Sequence, residues 1–179
     1  MNYYHYIVVG PYAAGKTTAL ASLSELSFTS IQNKIAEHQA LSISLTLPDI
    51  EHAICKLEGN QTAFLYGYSN QEQITQILAV LGHEADGGII LLDHTQINAI
   101  DDFEIYLNLL GEHVDNLILA ISHVDENTQQ LLKKYRNILA MKNIKMPIFA
   151  VDPRKKEDIV MLIEVLLART EVTKAIIYT

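Results

Sequence analysis

Cysteine is nearly absent: Cys55 is the one thiol in 179 residues. That excludes an internal disulfide and a cysteine-based zinc cluster and fits a reducing compartment. As a small apolar side chain, Cys55 reads as a strand residue. Positive charge is also scarce, since 13 Lys and Arg stand against 21 Asp and Glu, for a net charge of −8. Nucleic-acid surfaces cluster cations to release counterions, so this balance argues against a nucleic-acid partner. The small basic groups Lys133, Lys134, Arg136 and Arg154 to Lys156 lie beside acids and read as solvated helix faces. No apolar run approaches the roughly 20 residues of a membrane-spanning helix. The first residues lack the basic-then-apolar order of a signal peptide, Asn2 stands where myristoylation needs Gly, and no prenylation box closes the chain. The expectation is a cytoplasmic protein with no direct membrane insertion. The histidines are scattered, with no i, i+4 pair enclosing a Glu, and there is no repeat, linker or low-complexity tract.

What is present is 49% hydrophobic residues, enough for one core, and the expected organisation is one α/β domain over residues 1–179. Tyr4 to Val9 is an apolar, β-branched and aromatic run ending in Gly10, the pattern of a strand buried on both faces of a parallel sheet. A helix from about Gly15 would carry Leu20, Leu23 and Leu26 inward. Residues 27–48 are polar, Ser-rich and weakly periodic, a long loop. Ala53 to Leu57 and Thr62 to Tyr66 flank the turn-forming Glu58-Gly59-Asn60-Gln61, which predicts an antiparallel hairpin. Helices over about 71–83, 101–113, 126–142 and 156–169 then alternate with strands Gly88 to Leu92, Leu117 to Ile121 and Pro147 to Val151. This alternation implies a three-layer, mostly parallel sheet. Residues 172–179 read as an added edge strand or a partner-binding tail.

One loop carries chemistry: Gly10-Pro11-Tyr12-Ala13-Ala14-Gly15-Lys16-Thr17, followed by Thr18. The Gly-x4-Gly-Lys-Thr spacing lets backbone N–H groups turn around α- and β-phosphates, with the following helix adding its positive end. Lys16 would neutralise β- and γ-phosphate charge, and the Thr17 hydroxyl would hold Mg²⁺. The pattern specifies phosphate and not the base.

Evidence on the base comes from the strand Leu117 to Ile121, which ends in Ser122-His123-Val124-Asp125. An Asp just beyond a strand end can accept from guanine N1 and the exocyclic amine, donors that adenine lacks there. Asp125 can equally cap the next helix, a common use of Asp.

With these motifs in order, the chain resembles the Ras-like small GTPase superfamily, most closely the bacterial MglA-like branch. Val8-Val9-Gly10-Pro11-Tyr12-Ala13-Ala14-Gly15-Lys16-Thr17-Thr18 looks like the first motif of that branch, and the likeness runs along nearly the whole chain. The resemblance implies a P-loop NTPase fold with a mostly parallel six-stranded sheet and one antiparallel hairpin strand. It implies guanine nucleotide, GTP or GDP, with Mg²⁺. Switch I would supply a further Mg²⁺ ligand from Ser42, Ser44 or Thr46, with Thr46 carried as the metal candidate alongside Thr17. Tyr66-Gly67-Tyr68-Ser69-Asn70-Gln71-Glu72 stands at switch II, and Gln71 falls where the family places the Gln that orients the attacking water. Gly67 stands where most small GTPases have an Asp in the Mg²⁺ shell, a Gly that the bacterial branch shares, and Asn70 replaces a Gly whose amide contacts the γ-phosphate. Asp125 matches the base-reading Asp, His123 stands where an aliphatic stem covers the base, and Val151-Asp152-Pro153-Arg154 resembles the last base-backing motif. Roadblock/LC7-domain proteins are the partners the resemblance implies.

Three functions follow as expectations. The first is a GTP-dependent switch with slow hydrolysis, because the bulky Tyr12 would crowd Gln71 and any arginine finger. The second is a nucleotide-holding scaffold without useful turnover, favoured by Tyr12, Gly67 and Asn70. The third is a P-loop ATPase or kinase, whose support is Ile89-Ile90-Leu91-Leu92-Asp93, which reads like a Mg²⁺-binding strand end.

Overall fold

A computed structural model of the chain describes residues 2–23, 51–68, 74, 75, 78, 85–125 and 128–177. The chain opens with β1 (Asn2–Val9) and α1 (Lys16–Leu23), then β2 (Glu51–Leu57) and β3 (Gln61–Tyr68). It continues through β4 (Gly87–Asp93), α2 (Ala99–Gly111), β5 (Leu117–Ser122), α3 (Thr128–Met141), β6 (Ile148–Ala150) and α4 (Lys156–Ile177). The six strands form one sheet in the order β2-β3-β1-β4-β5-β6. All pairs are parallel except β2 with β3. The predicted α/β class and the single antiparallel pair are therefore observed. Gly59 and Asn60 both have φ near +60 to +70°, which closes the hairpin across a tight turn.

Strand alternation divides the core. Ile7 and Val9 face one side with Phe64 and Tyr66, under Phe103, Tyr106 and Leu107 of α2 and Tyr135 and Leu139 of α3. Tyr4, Tyr6 and Val8 face the other, under Leu20 and Leu23 of α1 and Ile159, Leu162, Ile163 and Leu166 of α4. The central strands are covered on both faces, which is why β4 and β5 read as unbroken apolar runs and are buried throughout.

One expectation is corrected. Residues 172–177 are not an edge strand but the last turns of α4, which runs unbroken to Ile177. No Gly or Pro interrupts that stretch, and its side chains reach back to the sheet. Lys174 pairs with Asp86 at 3.0 Å, and the Tyr4 hydroxyl donates to Glu171. The long loop over 27–48, Leu26 and most of the helix over 71–83 lie outside the described residues; of that helix, Ile74, Thr75 and Leu78 are helical, with Ile74 and Leu78 buried. Among the described residues, no helix is long and apolar enough to cross a membrane.

Candidate functional site

At the carboxyl end of β1 the chain leaves the sheet through Gly10 and enters α1 at Lys16. The loop between changes hand repeatedly: φ is +155° at Gly10, +63° at Ala13 and +99° at Gly15. Alternating hands are the backbone pattern of anion-binding concavities. Both glycines are required by space as well. A Cβ on Gly10 would lie 2.0 Å from the carbonyl oxygen of Leu91, and one on Gly15 would lie 2.8 Å from Cγ of Pro153. The first contact is with backbone and cannot relax. The second brings the loop against the chain segment after β6.

Lys16 is 4% exposed, and its ammonium donates to the carbonyls of Gly10 at 2.9 Å and Pro11 at 2.6 Å. The lysine thus folds back over its own loop. Burial pushes its pKa down to about 8, with the charge of Glu51 opposing the shift. Thr17, in the first turn of α1, donates its hydroxyl to Oε1 of Glu51 at 2.5 Å. Tyr12 is 89% exposed and stands clear of the loop.

Beside the loop is a cleft of about 540 Å³ lined by Ala13, Gly15, Thr18, His123, Val151, Asp152 and Pro153, together with Val124, Arg154 and Lys155. Every residue that the sequence assigns to base or loop contact from the first and last motifs therefore lies at this end of the sheet. Asp125 does not line the cleft; it is exposed on the adjoining turn. His123 has φ of +57° and turns its ring back, with Nδ1 3.3 Å from Asp93 and 3.1 Å from the Ser122 hydroxyl. Asp152 accepts from the backbone and side chain of Arg154, which hold its carboxyl below the usual carboxylate range. Its own amide donates to Asp158 at 2.8 Å, tying the turn to α4.

Two anchoring residues have no role assigned from the sequence, although Ser122 opens the Ser122-His123-Val124-Asp125 motif. Ser122 is fully buried, its hydroxyl 3.3 Å from both the Ala14 and Leu92 carbonyl oxygens, so it joins the loop to β4 and β5. Glu51 is the register partner of Gly67 across the hairpin. The predicted strands, with Leu57 opposite Thr62, would have set Glu51 against Tyr68; the hairpin instead pairs Leu57 with Gln61, so this partnership was not legible in the sequence. Gln71, Asn70 and the switch I candidates Ser42, Ser44 and Thr46 lie outside the described residues.

Asp93, the residue behind the ATPase reading, is 5% exposed and engaged by its own turn. It accepts from the Thr95 amide at 2.9 Å, the Thr95 hydroxyl at 2.7 Å and the Gln96 side chain at 3.3 Å. Burial pushes its pKa up, but these bonds outweigh burial and leave it below the ordinary value. Among the described residues no cluster of three or more His, Cys, Asp or Glu could hold a metal ion. A cation at this site would need phosphate oxygens among its ligands, and the adjacent Thr17 hydroxyl and Glu51 carboxylate are the hard oxygen donors that suit Mg²⁺.

No protein-family model and no curated protein matches the sequence. Its fold does match solved structures, among them the crystal structure of bacterial selenocysteine-specific elongation factor EF-Sec, with a TM-score of 0.65 and 19% identity. The match covers 94% of this chain and 29% of that one, so this chain spans less than a third of its length. At that identity the likeness is one of fold: the chain shares the α/β architecture of part of that protein.

Proposed function

We propose that the chain is a guanine-nucleotide switch, binding GTP and GDP with Mg²⁺ and hydrolysing GTP slowly. The observation that carries this reading is the loop 10–17, with alternating backbone hand and a buried Lys16 turned over it, beside a cleft of about 540 Å³ lined by His123, Val151, Asp152 and Pro153. The loop concavity and the start of α1 suit phosphates, with Lys16 and backbone N–H groups as donors. Thr17 is the Mg²⁺ ligand, joined by Thr46, Ser42 or Ser44 from switch I. The ion, when bound, neutralises phosphate charge. His123 and Asp125 are the base-side candidates, and the exposed turn of Asp125 closes on the base when guanine occupies the cleft.

Gln71 orients the attacking water. Tyr12, a bulky residue of the phosphate loop, is exposed and is the side chain that would crowd Gln71 or an arginine finger, so turnover is slow without a partner. A Roadblock/LC7-type protein fits as that partner on the strength of the family resemblance, and a cytoplasmic, bacterial setting on the same ground. Holding nucleotide without useful turnover is the second reading. It is favoured by Gly67, which offers no carboxylate where most small GTPases have an Asp, and where a Cβ would require the Leu20 side chain, 2.5 Å away, to shift.

Identifying the nucleotide retained by the purified protein tests the assignment. GDP or GTP is expected; ATP or ADP alone would overturn the guanine reading. GTP turnover of many per second without a partner would overturn slow hydrolysis.

A further inference from the structure

Position 67 carries no carboxylate, but one stands across the hairpin. Glu51 of β2 and Gly67 of β3 are directly opposed in the antiparallel register. Opposed residues send their side chains to the same face of a sheet. A Cβ on Gly67 would lie 3.4 Å from Cβ of Glu51 and 3.5 Å from its Oε2, ordinary van der Waals contact, so the Glu51 carboxylate stands directly beside position 67. Cδ1 of Leu20 lies 2.5 Å from the same point and would have to shift for any side chain there.

From there Glu51 reaches the loop. Its Oε1 accepts the Thr17 hydroxyl at 2.5 Å, and its charge acts on the Lys16 ammonium. Octahedral Mg²⁺ with bonds of about 2.1 Å separates neighbouring ligand oxygens by about 3 Å. Thr17 and Glu51 present two adjacent oxygens, one a hydroxyl and one a carboxylate, hydrogen-bonded to each other and needing to part slightly to share an ion, at the start of the helix that follows the phosphate loop. Mg²⁺ sites of this kind combine one or two carboxylates with substrate phosphates.

We infer that Glu51 supplies the carboxylate of the Mg²⁺ shell, in place of an acid at position 67. This deepens the nucleotide reading above and rests on it. It also assigns a role to β2, which otherwise only edges the sheet.

Glu51→Gln isolates the charge. The amide is isosteric and still accepts from the Thr17 hydroxyl, so a contact that only braces the loop survives the substitution. The full chain is loaded with fluorescent GDP, and the release rate is followed against free Mg²⁺. Wild-type release is expected to slow as Mg²⁺ is added. E51Q should need roughly ten- to hundred-fold more Mg²⁺ for half of that effect, each protein being scaled to its own release rate in excess chelator. Equal half-saturating Mg²⁺ in the two proteins overturns the role of Glu51 while leaving nucleotide binding intact. A wild-type protein that retains no GDP overturns the nucleotide reading and the inference together.

Discussion

Lys16 has two burdens that a surface lysine lacks. It is nearly buried, and its ammonium is held by carbonyl oxygens, which carry no full charge. Its pKa of about 8, against an ordinary 10.5, means that folding disfavours its charged form. Below pH 8 the cation is buried at a cost. Between about 8 and 10.5 the unfolded chain holds one more proton than the free folded chain, so stability of the free protein rises with pH across that window. A bound phosphate favours the cation and must recruit the missing proton. GDP affinity should therefore fall by up to about tenfold for each pH unit above 8, with proton uptake visible when titration calorimetry is repeated in buffers of different ionisation heat. Lys16→Met should bind more weakly throughout and show no such slope. A wild-type affinity flat from pH 7.5 to 9.5 would contradict the assignment of Lys16 to phosphate.

Among the elements, the loop is held where three strands end. Ser122 at the tip of β5 lies within reach of carbonyls on the loop and on β4, and Gly10 admits the Leu91 carbonyl where any side chain would collide. Ser122→Ala should cost about 1 kcal/mol in denaturant unfolding, the scale of one buried hydrogen bond, and should speed GDP release by loosening the loop. Unchanged release with lowered stability would confine Ser122 to the fold. Much of this level was legible beforehand. The apolar runs of β1, β4 and β5 marked strands buried on both faces, and Gly59 beside Asn60 marked the hairpin. The Gly-x4-Gly-Lys-Thr spacing placed the loop. Residues 172–177 were not legible, because Val172, Ile176 and Ile177 favour strands locally. What keeps them helical is distant in sequence: the anchoring of Glu171 on Tyr4 and of Lys174 on Asp86. The exposed position of Asp125 was equally invisible, since a motif gives order along the chain and not the path of a turn.

At the scale of the whole molecule, the proposed site lies at the ends of β1, β5 and β6, so nucleotide binding there would add to global stability. GDP with Mg²⁺ at about 100 times its dissociation constant should add about 2.7 kcal/mol. For a chain of this size that is a rise in melting temperature of roughly 5–10 °C. ATP at the same concentration should leave the melting curve unmoved, and thermal scans with each nucleotide make the comparison. The net charge of −8 sets the long-range character of any docking, giving basic partners faster association that slows with added salt.

The opposite rim of the sheet is tied very differently. There Asn116 donates to the Leu166 carbonyl and accepts from Arg169, while Asp86 takes Lys174 through its side chain and the His5 amide through its other oxygen. Four separate stretches of chain are cross-braced at that rim by side chains, away from the proposed nucleotide site. A partner that grips this rim would sense little of which nucleotide is bound, and one that reads the nucleotide must approach from the other.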